Sequence, residues 1–383
     1  MKKILLNASP EKMHPIWGEL KDNPPKEYKF ISNNQKISIK NLSSLKKNKL
    51  INLIYKSFLF KFINPLNLSE KMLSIPKDID FIYSPDHIIT KRFSWICDTE
   101  EAITFAGHNA NLLKKNKSKI EKALSSKYCK KILPFTNFAK QSLEREFDTS
   151  LFKDKIEIIH FGTKIPKIKI KNNSKVVNII FVGTANQTDP MIFNLKGGRE
   201  SIEAFRILSK KYKNIRLKIV SNVPKNINTN IKGLEIIPLM DREKLFNLYG
   251  KSDIFLFPSY LSLGMTIIEA MGSGLPLVCS DMFGIPDSID NKKNGFLINV
   301  KNKGKYRYMG PSINDFENFA EFIWKNNKED IIKQIVKYIS TLIESPKLRV
   351  KMGKESRKKY EKEFSTEVRN KKLKKIFDGI TSK

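Results

Sequence analysis

Residues 254–281, IFLFPSYLSLGMTIIEAMGSGLPLVCSD, decide the predicted fold of this chain of 383 residues. The segment begins with an apolar strand, passes a short loop at Gly264, and continues as a helix from about Thr266. A turn rich in glycine and proline then leads into a second apolar strand at 277–279. Strand, helix and strand in this order are typical of a parallel sheet covered by helices.

The same alternation continues on both sides of this segment. Helix 137–147 has Thr136 as a candidate N-cap, because a threonine hydroxyl satisfies a free amide of the first turn. The other predicted strands are 3–7, 28–31, 80–83, 95–97, 131–134, 155–161, 176–182, 217–220, 234–237 and 254–257, with those from 176 onwards expected to be buried. The other predicted helices are 199–211, 243–249, 266–271, 315–325, 330–343, 346–364 and 368–380.

The basic stretch 164–175 contains Pro166 and has no helical periodicity, so it is interpreted as a linker. We therefore expect an α/β fold of two doubly wound, Rossmann-like domains, 1–165 and 166–365. The last helix, 366–383, is expected to return to the first domain. Ligands of such sheets bind at the carboxyl ends of the strands, so two facing domains would enclose a cleft.

Charge is the unusual feature of the composition: 71 Lys and Arg against 39 Asp and Glu give a net charge of +32. This excess favours polyanionic partners, namely nucleic acid, anionic lipid or phosphorylated substrates. An AT-rich genome explains it equally well, because the excess is mostly Lys and accompanies abundant Ile and Asn. Nucleic acid is the least expected partner, since the chain has no zinc finger, RNA-binding aromatic signature or concentrated basic helix.

Three scattered cysteines and four histidines argue against a disulfide scaffold or a structural zinc site. The short apolar run at the amino terminus is not a signal-peptide pattern, and no run of eighteen apolar residues occurs. We expect a cytoplasmic protein, with peripheral attachment to the cytoplasmic membrane face as a further hypothesis.

Two glycine-containing loops at predicted strand ends are candidate phosphate sites. The helix after Gly264 begins with free backbone amides and the positive end of the helix dipole, which suits an anion. Glu269, one turn later, would place a carboxylate near a ribose diol. In FVGTANQTDPMIFNLKGG (181–198), Lys196 opens a second helix next to two glycines. Lys196 is either a phosphate ligand or one more surface lysine.

Several motifs in order resemble glycosyltransferase family 4, the GT-B enzymes also described as glycosyl transferases group 1. The resemblance covers most of 176–364 and is looser in the amino-terminal half. It rests on FVG (181–183), KGG (196–198), DREKLFNLYGKSDIFLFPS (241–259), GMTIIEAMGSGLPLV (264–278), GIPDSIDNKKNGFLI (284–298) and SPKLRVKMGKESRKKYEKEFS (345–365).

The resemblance implies retaining transfer of a hexosyl-type sugar from a nucleoside-diphosphate sugar, with UDP or GDP left open. It implies no metal ion and no other cofactor. Lys196 would bind the diphosphate and Glu269 the ribose, and both are named as catalytic candidates. The implied donor contacts are Gly183, Thr184, Lys196, Gly197, Leu263, Gly264, Met265, Thr266 and Glu269.

The chain departs from the family pattern at two positions. Leu261 replaces a family Glu that touches the donor sugar, in a loop that is one residue short, and Thr184 replaces a family Arg. Either the donor sugar is unusual or the enzyme is impaired. The alternatives are therefore a catalytically impaired polyanion or nucleic-acid binder, or a sugar-nucleotide epimerase of the same fold.

The acceptor, a glycan or a lipid-linked sugar, is expected at the strand ends of the first domain. Asp98 is the third catalytic candidate, as a carboxylate that orients or deprotonates an acceptor hydroxyl; it could instead cap a helix. The other acceptor-side candidates are Ser9, Asp86, Glu101 and His108.

An anionic membrane surface is a possible further partner. Lysines crowd residues 114–131, and the apolar segment 50–66 contains several phenylalanines. This combination suits interfacial docking, although 50–66 could equally be a core helix of the first domain.

Overall fold

The computed structural model describes residues 1–8, 13–32, 73–166, 175–183, 190–238, 240–312 and 315–382. The chain forms two compact units. Unit 1 comprises Met1–Phe135, Lys140–Ile159 and Asn370–Lys383, and unit 2 comprises Thr136–Ala139 and His160–Arg369. Segment 50–66, most of the predicted linker 164–175, Ser9 and Thr184 lie outside the described residues.

Unit 1 contains a parallel sheet of five strands in the order β2-β1-β3-β4-β5. The strands are β1 (Lys2–Leu6), β2 (Tyr28–Ser32), β3 (Phe81–Pro85), β4 (Trp95–Thr99) and β5 (Cys129–Pro134). Its helices are α1 (Pro15–Asp22), α2 (Ala110–Ser125) and α3 (Asn137–Glu146), with a 3₁₀ turn at Ala102–Ala106.

The final helix, α10 (Thr366–Thr381), contributes its last turns to the core of unit 1. The Phe377 ring packs edge-on against Tyr28 and Phe81, each at a centroid distance of 5.1 Å. Burying a phenylalanine stabilises a fold by ~2 kcal/mol, so these contacts fix the carboxyl terminus of the chain on this sheet.

Unit 2 contains a parallel sheet of six strands in the order β11-β10-β9-β6-β7-β8. They are β6 (Val177–Val182), β7 (Ile215–Val220), β8 (Leu234–Ile237), β9 (Ile254–Phe257), β10 (Leu277–Ser280) and β11 (Gly295–Ile298). The central strands β6 and β9 are buried along their whole length, whereas β8 is an edge strand. The expectation that residues 234–237 are buried was wrong, since Ile236 is 39% exposed.

The helices of unit 2 lie between and after these strands. They are α4 (Pro190–Leu195), α5 (Gly198–Lys211), α6 (Arg242–Gly250), α7 (Met265–Gly272), α8 (Phe316–Glu344) and α9 (Pro346–Lys359), followed by a π-helical turn at Tyr360–Phe364. The order of strands and helices confirms the predicted α/β class with two parallel sheets.

Two predicted elements differ from the structure. Residues 155–161 run beside β5 without forming a strand: the amides of Glu157 and Ile159 donate to Ile132 and Pro134, but Pro134 has no N–H with which to extend a ladder. The helices predicted at 315–325 and 330–343 are one helix, α8. The polar residues between them do not end the helix, because Asn327 is buried and makes two hydrogen bonds to Asn302. Its Oδ1 accepts from the Asn302 amide, and its Nδ2 donates to the Asn302 carbonyl.

Candidate functional site

The carboxyl ends of β6 and β9 place two glycine-containing loops in unit 2. Gly183 follows β6. A side chain at this position would clash with Ser221, because an added Cβ would lie 2.2 Å from Ser221 Oγ. Beyond β9, the Tyr260 amide donates to the Leu195 carbonyl at 2.8 Å. The loop after β9 is therefore tied to the segment that carries Lys196.

Gly197 brings the start of α5 against the loop after β9. Its φ of +75° is in the left-handed region, and a Cβ would lie 2.3 Å from the Pro258 carbonyl oxygen. Only glycine meets both conditions without strain. Gly198 is similarly crowded by the ring of Phe193. Both glycines are thus needed for the packing that positions Lys196, whatever ligand binds there.

Lys196 is the cation at this edge of the sheet. Its Nζ lies 5.7 Å from the ring centroid of Phe257, and among the described residues it has no salt-bridge partner. Burial alone lowers the pKa of Lys196 to about 8. An ammonium that is removed from water without a counter-charge is unstable by itself and would be stabilised by an anion.

Helix α7 presents its amino terminus at the end of the same loop. Gly264 is the N-cap and supplies no side-chain cap, so the first-turn amides at Met265 and Thr266 are available to an anion. Thr266 Oγ1 is buried and has no hydrogen-bond partner within the described part of the chain. Leu263, the other predicted donor contact in this loop, is buried.

Glu269 lies on the second turn of α7, with its side chain 7% exposed. Arg242 Nη2 is 3.0 Å from Glu269 Oε1. The Tyr249 hydroxyl donates to the Thr266 carbonyl at 3.4 Å; burial and the neighbouring Glu269 charge raise the pKa of Tyr249 well above its usual range. No local sequence pattern distinguishes Arg242 from any other charged residue in a helical first turn.

A second buried carboxyl was also missed. Glu200, in the first turn of α5, has no exposed surface and accepts a hydrogen bond from the Tyr260 hydroxyl. Burial raises the pKa of Glu200 to about 7. An acidic residue in a first helical turn normally interacts with the dipole at the surface, so the pattern favoured a solvated side chain.

A cavity of about 390 Å³ lies beyond the ends of β7 and β8. Its lining includes Ser221, Asn222, Pro224, Ile236 and Pro238. Ser221 also borders Gly183, so the cavity adjoins the carboxyl end of β6. A mixed wall of this kind, with apolar side chains and a few polar groups, is typical of small-molecule pockets.

In unit 1, Asp98 is fully buried at the end of β4. Its Oδ2 accepts hydrogen bonds from Trp17 Nε1 at 3.0 Å and the Tyr83 hydroxyl at 2.8 Å. Burial and then the charge of Asp86 hold the pKa of Asp98 well above its usual range. Asp98 does not cap a helix, and its raised pKa disfavours the ionised form that a general base requires.

The half-buried groups around Asp98 come from the ends of β3 and β4. Asp86 Oδ1 accepts from the Glu100 amide at 3.3 Å, and Glu101 precedes the 3₁₀ turn. Burial raises the pKa of Asp86 and lowers that of His108. The sequence-predicted residues Asp86, Glu101 and His108 thus lie at one edge of the sheet.

Within the described residues, no group of His, Cys, Asp and Glu side chains is arranged to hold a metal ion, and no helix is long and apolar enough to cross a membrane. These observations concern only the ranges given above.

Part of unit 2 matches a known protein family. The family described as "Glycosyl transferases group 1" matches residues 165–306. An uncharacterised glycosyltransferase of Haemophilus influenzae is 27% identical over 248 residues, which are 62% of this chain and 58% of the relative. The chain thus spans less than two thirds of the length of that curated relative.

Two solved structures share the fold. Sucrose-phosphate synthase from Thermosynechococcus elongatus has a TM-score of 0.62 at 12% identity, with both chains fully covered. Anabaena Alr3699/HepE in complex with UDP-glucose has a TM-score of 0.58 at 12% identity, again with full coverage of both. The predicted fold class is confirmed, while the narrower assignment to family 4 stays a prediction. The chain therefore has the GT-B fold, and its residues 165–306 match the family described as "Glycosyl transferases group 1".

Proposed function

We propose that the protein transfers a sugar from a nucleoside-diphosphate sugar to a glycan or lipid-linked acceptor. The observation that carries the proposal is Lys196, a desolvated cation without a salt-bridge partner in the described chain, beside the end of β9 and directly before helix α5. In such a transfer negative charge develops on the leaving diphosphate, and fixed positive groups in a partly dry site stabilise it.

The remaining donor groups fit a nucleotide. The Met265 and Thr266 amides and the unpaired Thr266 hydroxyl would bind phosphate or sugar oxygens. Glu269 would accept hydrogen bonds from the ribose hydroxyls, and the cavity beside Ser221 would take the base. The proposal requires no metal ion, because Lys196 and the two helix dipoles supply the positive charge. Retention of configuration and transfer of a hexose rest on the resemblance alone.

The acceptor is assigned to the polar strand ends of unit 1. Asp86, Glu101 and His108 offer both donors and acceptors for sugar hydroxyls, and Asp98 would act mainly by holding Tyr83 and Trp17 in place. Ser9 stays a candidate outside the described residues.

A membrane-bound acceptor is favoured by one surface of unit 1, the basic face of α2. Its exposed lysines are Lys114, Lys115, Lys117 and Lys122, continued by Lys127 and Lys130. Each exposed lysine near an anionic leaflet contributes ~1 kcal/mol of attraction. We therefore propose peripheral attachment to anionic lipid at the cytoplasmic membrane face.

A thermal-shift screen with UDP, GDP, ADP and their sugars tests the donor site. UDP is the first choice, since the Anabaena protein of the same fold was solved with UDP-glucose. We expect one base to stabilise the wild-type chain and the Glu269→Ala variant to lose most of this effect, with Lys210→Ala, an exposed residue far along α5, as control. Absence of stabilisation by every nucleotide, or stabilisation by RNA instead, would overturn the proposal.

A further inference from the structure

Arg242, the first residue of α6, connects Glu269 to a distant part of unit 2. Its Nη2 is 3.0 Å from Glu269 Oε1 and also donates to Thr163 Oγ1. The guanidinium lies 5.4 Å from the ring centroid of Phe246, one turn further along the helix. The orientation of the Arg242 side chain is therefore set by three neighbours.

Thr163 is a rigid anchor for this arginine. It has no exposed surface, its backbone pairs with Ser365, and its carbonyl accepts from the Tyr360 hydroxyl at 2.7 Å. An arginine held at such a point presents its nitrogen at a fixed position. A lysine would not do so, because its ammonium lacks the planar fork.

The two members of the ion pair differ in their contact with water. The Glu269 side chain is 7% exposed and that of Arg242 is 42% exposed. A buried carboxylate without a cation takes up a proton or changes its conformation. The Arg242 guanidinium thus supplies the opposite charge beside the buried Glu269 carboxylate.

A carboxylate accepts about four hydrogen bonds, so an ion pair with one guanidinium nitrogen is compatible with a vicinal diol on the same group. We infer that Arg242 is a positioning residue for the nucleotide ribose: it holds the Glu269 carboxylate in the orientation in which it accepts hydrogen bonds from the ribose hydroxyls. This inference rests on the proposed function and adds the residue that sets the sugar selectivity of the nucleotide site.

The test compares each ribonucleoside diphosphate with its 2′-deoxy counterpart by calorimetric titration. UDP and 2′-deoxy-UDP are used first, then the GDP and ADP pairs. The wild-type chain is expected to prefer the ribonucleotide about tenfold or more, the effect of one hydrogen bond to a charged group. In Arg242→Ala the preference should fall below about threefold, and Arg242→Lys should restore part of it.

Lys244→Ala is the matched control. It removes one positive charge from the same helix, but the salt bridge that Lys244 makes within the described residues is with the N-cap Asp241 at the surface. Its ribose preference should equal that of the wild type. Arg242→Gln, which keeps part of the stem over Phe246, gives the same comparison if Arg242→Ala does not fold.

The outcomes separate the inference from the proposed function. If the wild type binds none of these nucleotides, the proposed function fails. If it prefers ribonucleotides and Arg242→Ala or Arg242→Gln retains that preference, the role of Arg242 fails alone. Tighter ribonucleotide binding by either variant would also overturn it, because Arg242 would then be a competitor of the ribose for Glu269.

Discussion

Replacing Lys196 with methionine is expected to stabilise the ligand-free protein while weakening its binding of nucleotides. Methionine has a similar length and no charge, so Lys196→Met removes the buried ammonium without opening a large cavity. The stability effect arises because the Lys196 ammonium has no ion-pair partner in the described chain. Lys210→Met, at the exposed far end of α5, is the control.

The magnitude follows from the pKa of Lys196, which burial lowers from 10.5 to about 8. At ~1.4 kcal/mol for each tenfold change, the charged form destabilises the fold by ~3 kcal/mol. This destabilisation is fully present below about pH 8, where native and unfolded chains are both protonated. Between about 8 and 10.5 the native lysine loses its proton while the unfolded one keeps it, so the difference from the variant disappears.

Urea unfolding of both chains at pH 7 and pH 10 measures this effect. Lys196→Met should be more stable than the wild type by up to ~3 kcal/mol at pH 7 and by less than ~1 kcal/mol at pH 10, where the native lysine has lost its proton and the unfolded one has lost it only in part. Nucleotide binding is measured by calorimetry with a nucleoside diphosphate at pH 9. Two buffers of different ionisation enthalpy give the number of protons taken up on binding. Phosphate raises the pKa of Lys196, so the wild type should take up close to one proton on binding and the variant none.

Two results would refute the reasoning. A variant that is less stable than the wild type at pH 7 would mean that the ammonium is well solvated or paired. Unchanged nucleotide affinity, where a loss of about 10- to 100-fold is expected for a charged hydrogen bond, would remove Lys196 from the phosphate site. The Lys210→Met control should show neither effect.

The other predictions use the same kinds of measurement. Gly197→Ala should lower the free energy of urea unfolding by at least ~2 kcal/mol, and Gly274→Ala by only ~1 kcal/mol. Gly274 shares the left-handed φ, but a Cβ added there would meet nothing nearer than 3.7 Å. Equal losses of stability would contradict the clash at Gly197. Asp98→Asn should lie within ~1 kcal/mol of the wild type at pH 3.8 and gain relative stability as the pH rises above that value, since the raised pKa of Asp98 makes its ionised form unfavourable in the fold; an opposite pH trend would mean an ionised Asp98. The double substitution of Lys114 and Lys117 by Glu should reduce co-sedimentation with anionic liposomes at low salt, whereas equal wild-type recovery with neutral and anionic lipid would exclude electrostatic docking.

The sheets could be predicted from the sequence because their strands are short apolar runs between glycine- and proline-containing turns. The central strands β6 and β9 are such runs. Both are buried along their whole length, and a continuous apolar run is typical of a buried strand in a parallel sheet. The prediction failed where tertiary contacts outweigh local preference. Helix α8 continues through a polar stretch because Asn327 bonds a neighbouring loop, and residues 155–161 look like a strand but meet a proline in the adjacent strand.

The candidate site was predictable where backbone geometry requires a residue type. Gly197 and Gly264 lie directly before helices α5 and α7, and a glycine before a helical pattern can be recognised in the sequence. Arg242, Glu200 and Tyr260 could not be found in this way, because ion pairs and hydrogen bonds between residues tens of positions apart leave no local pattern.

The large positive charge of the chain indicates nothing about the site until burial is known. Lys155 and Lys196 both have pKa values that burial lowers. Lys155 Nζ donates to the carbonyl oxygens of Leu124, Ser125 and Ser126, so its burial is explained by the end of helix α2. Lys196 has no such acceptor in the described chain and lies beside Phe257 at the end of β9, directly before helix α5. A fold that retains an unpaired, destabilising ammonium at that position loses stability without structural gain, which is expected where stability is sacrificed for ligand binding. Lys196 and its surroundings therefore favour an anionic substrate, whatever the net charge of the rest of the chain.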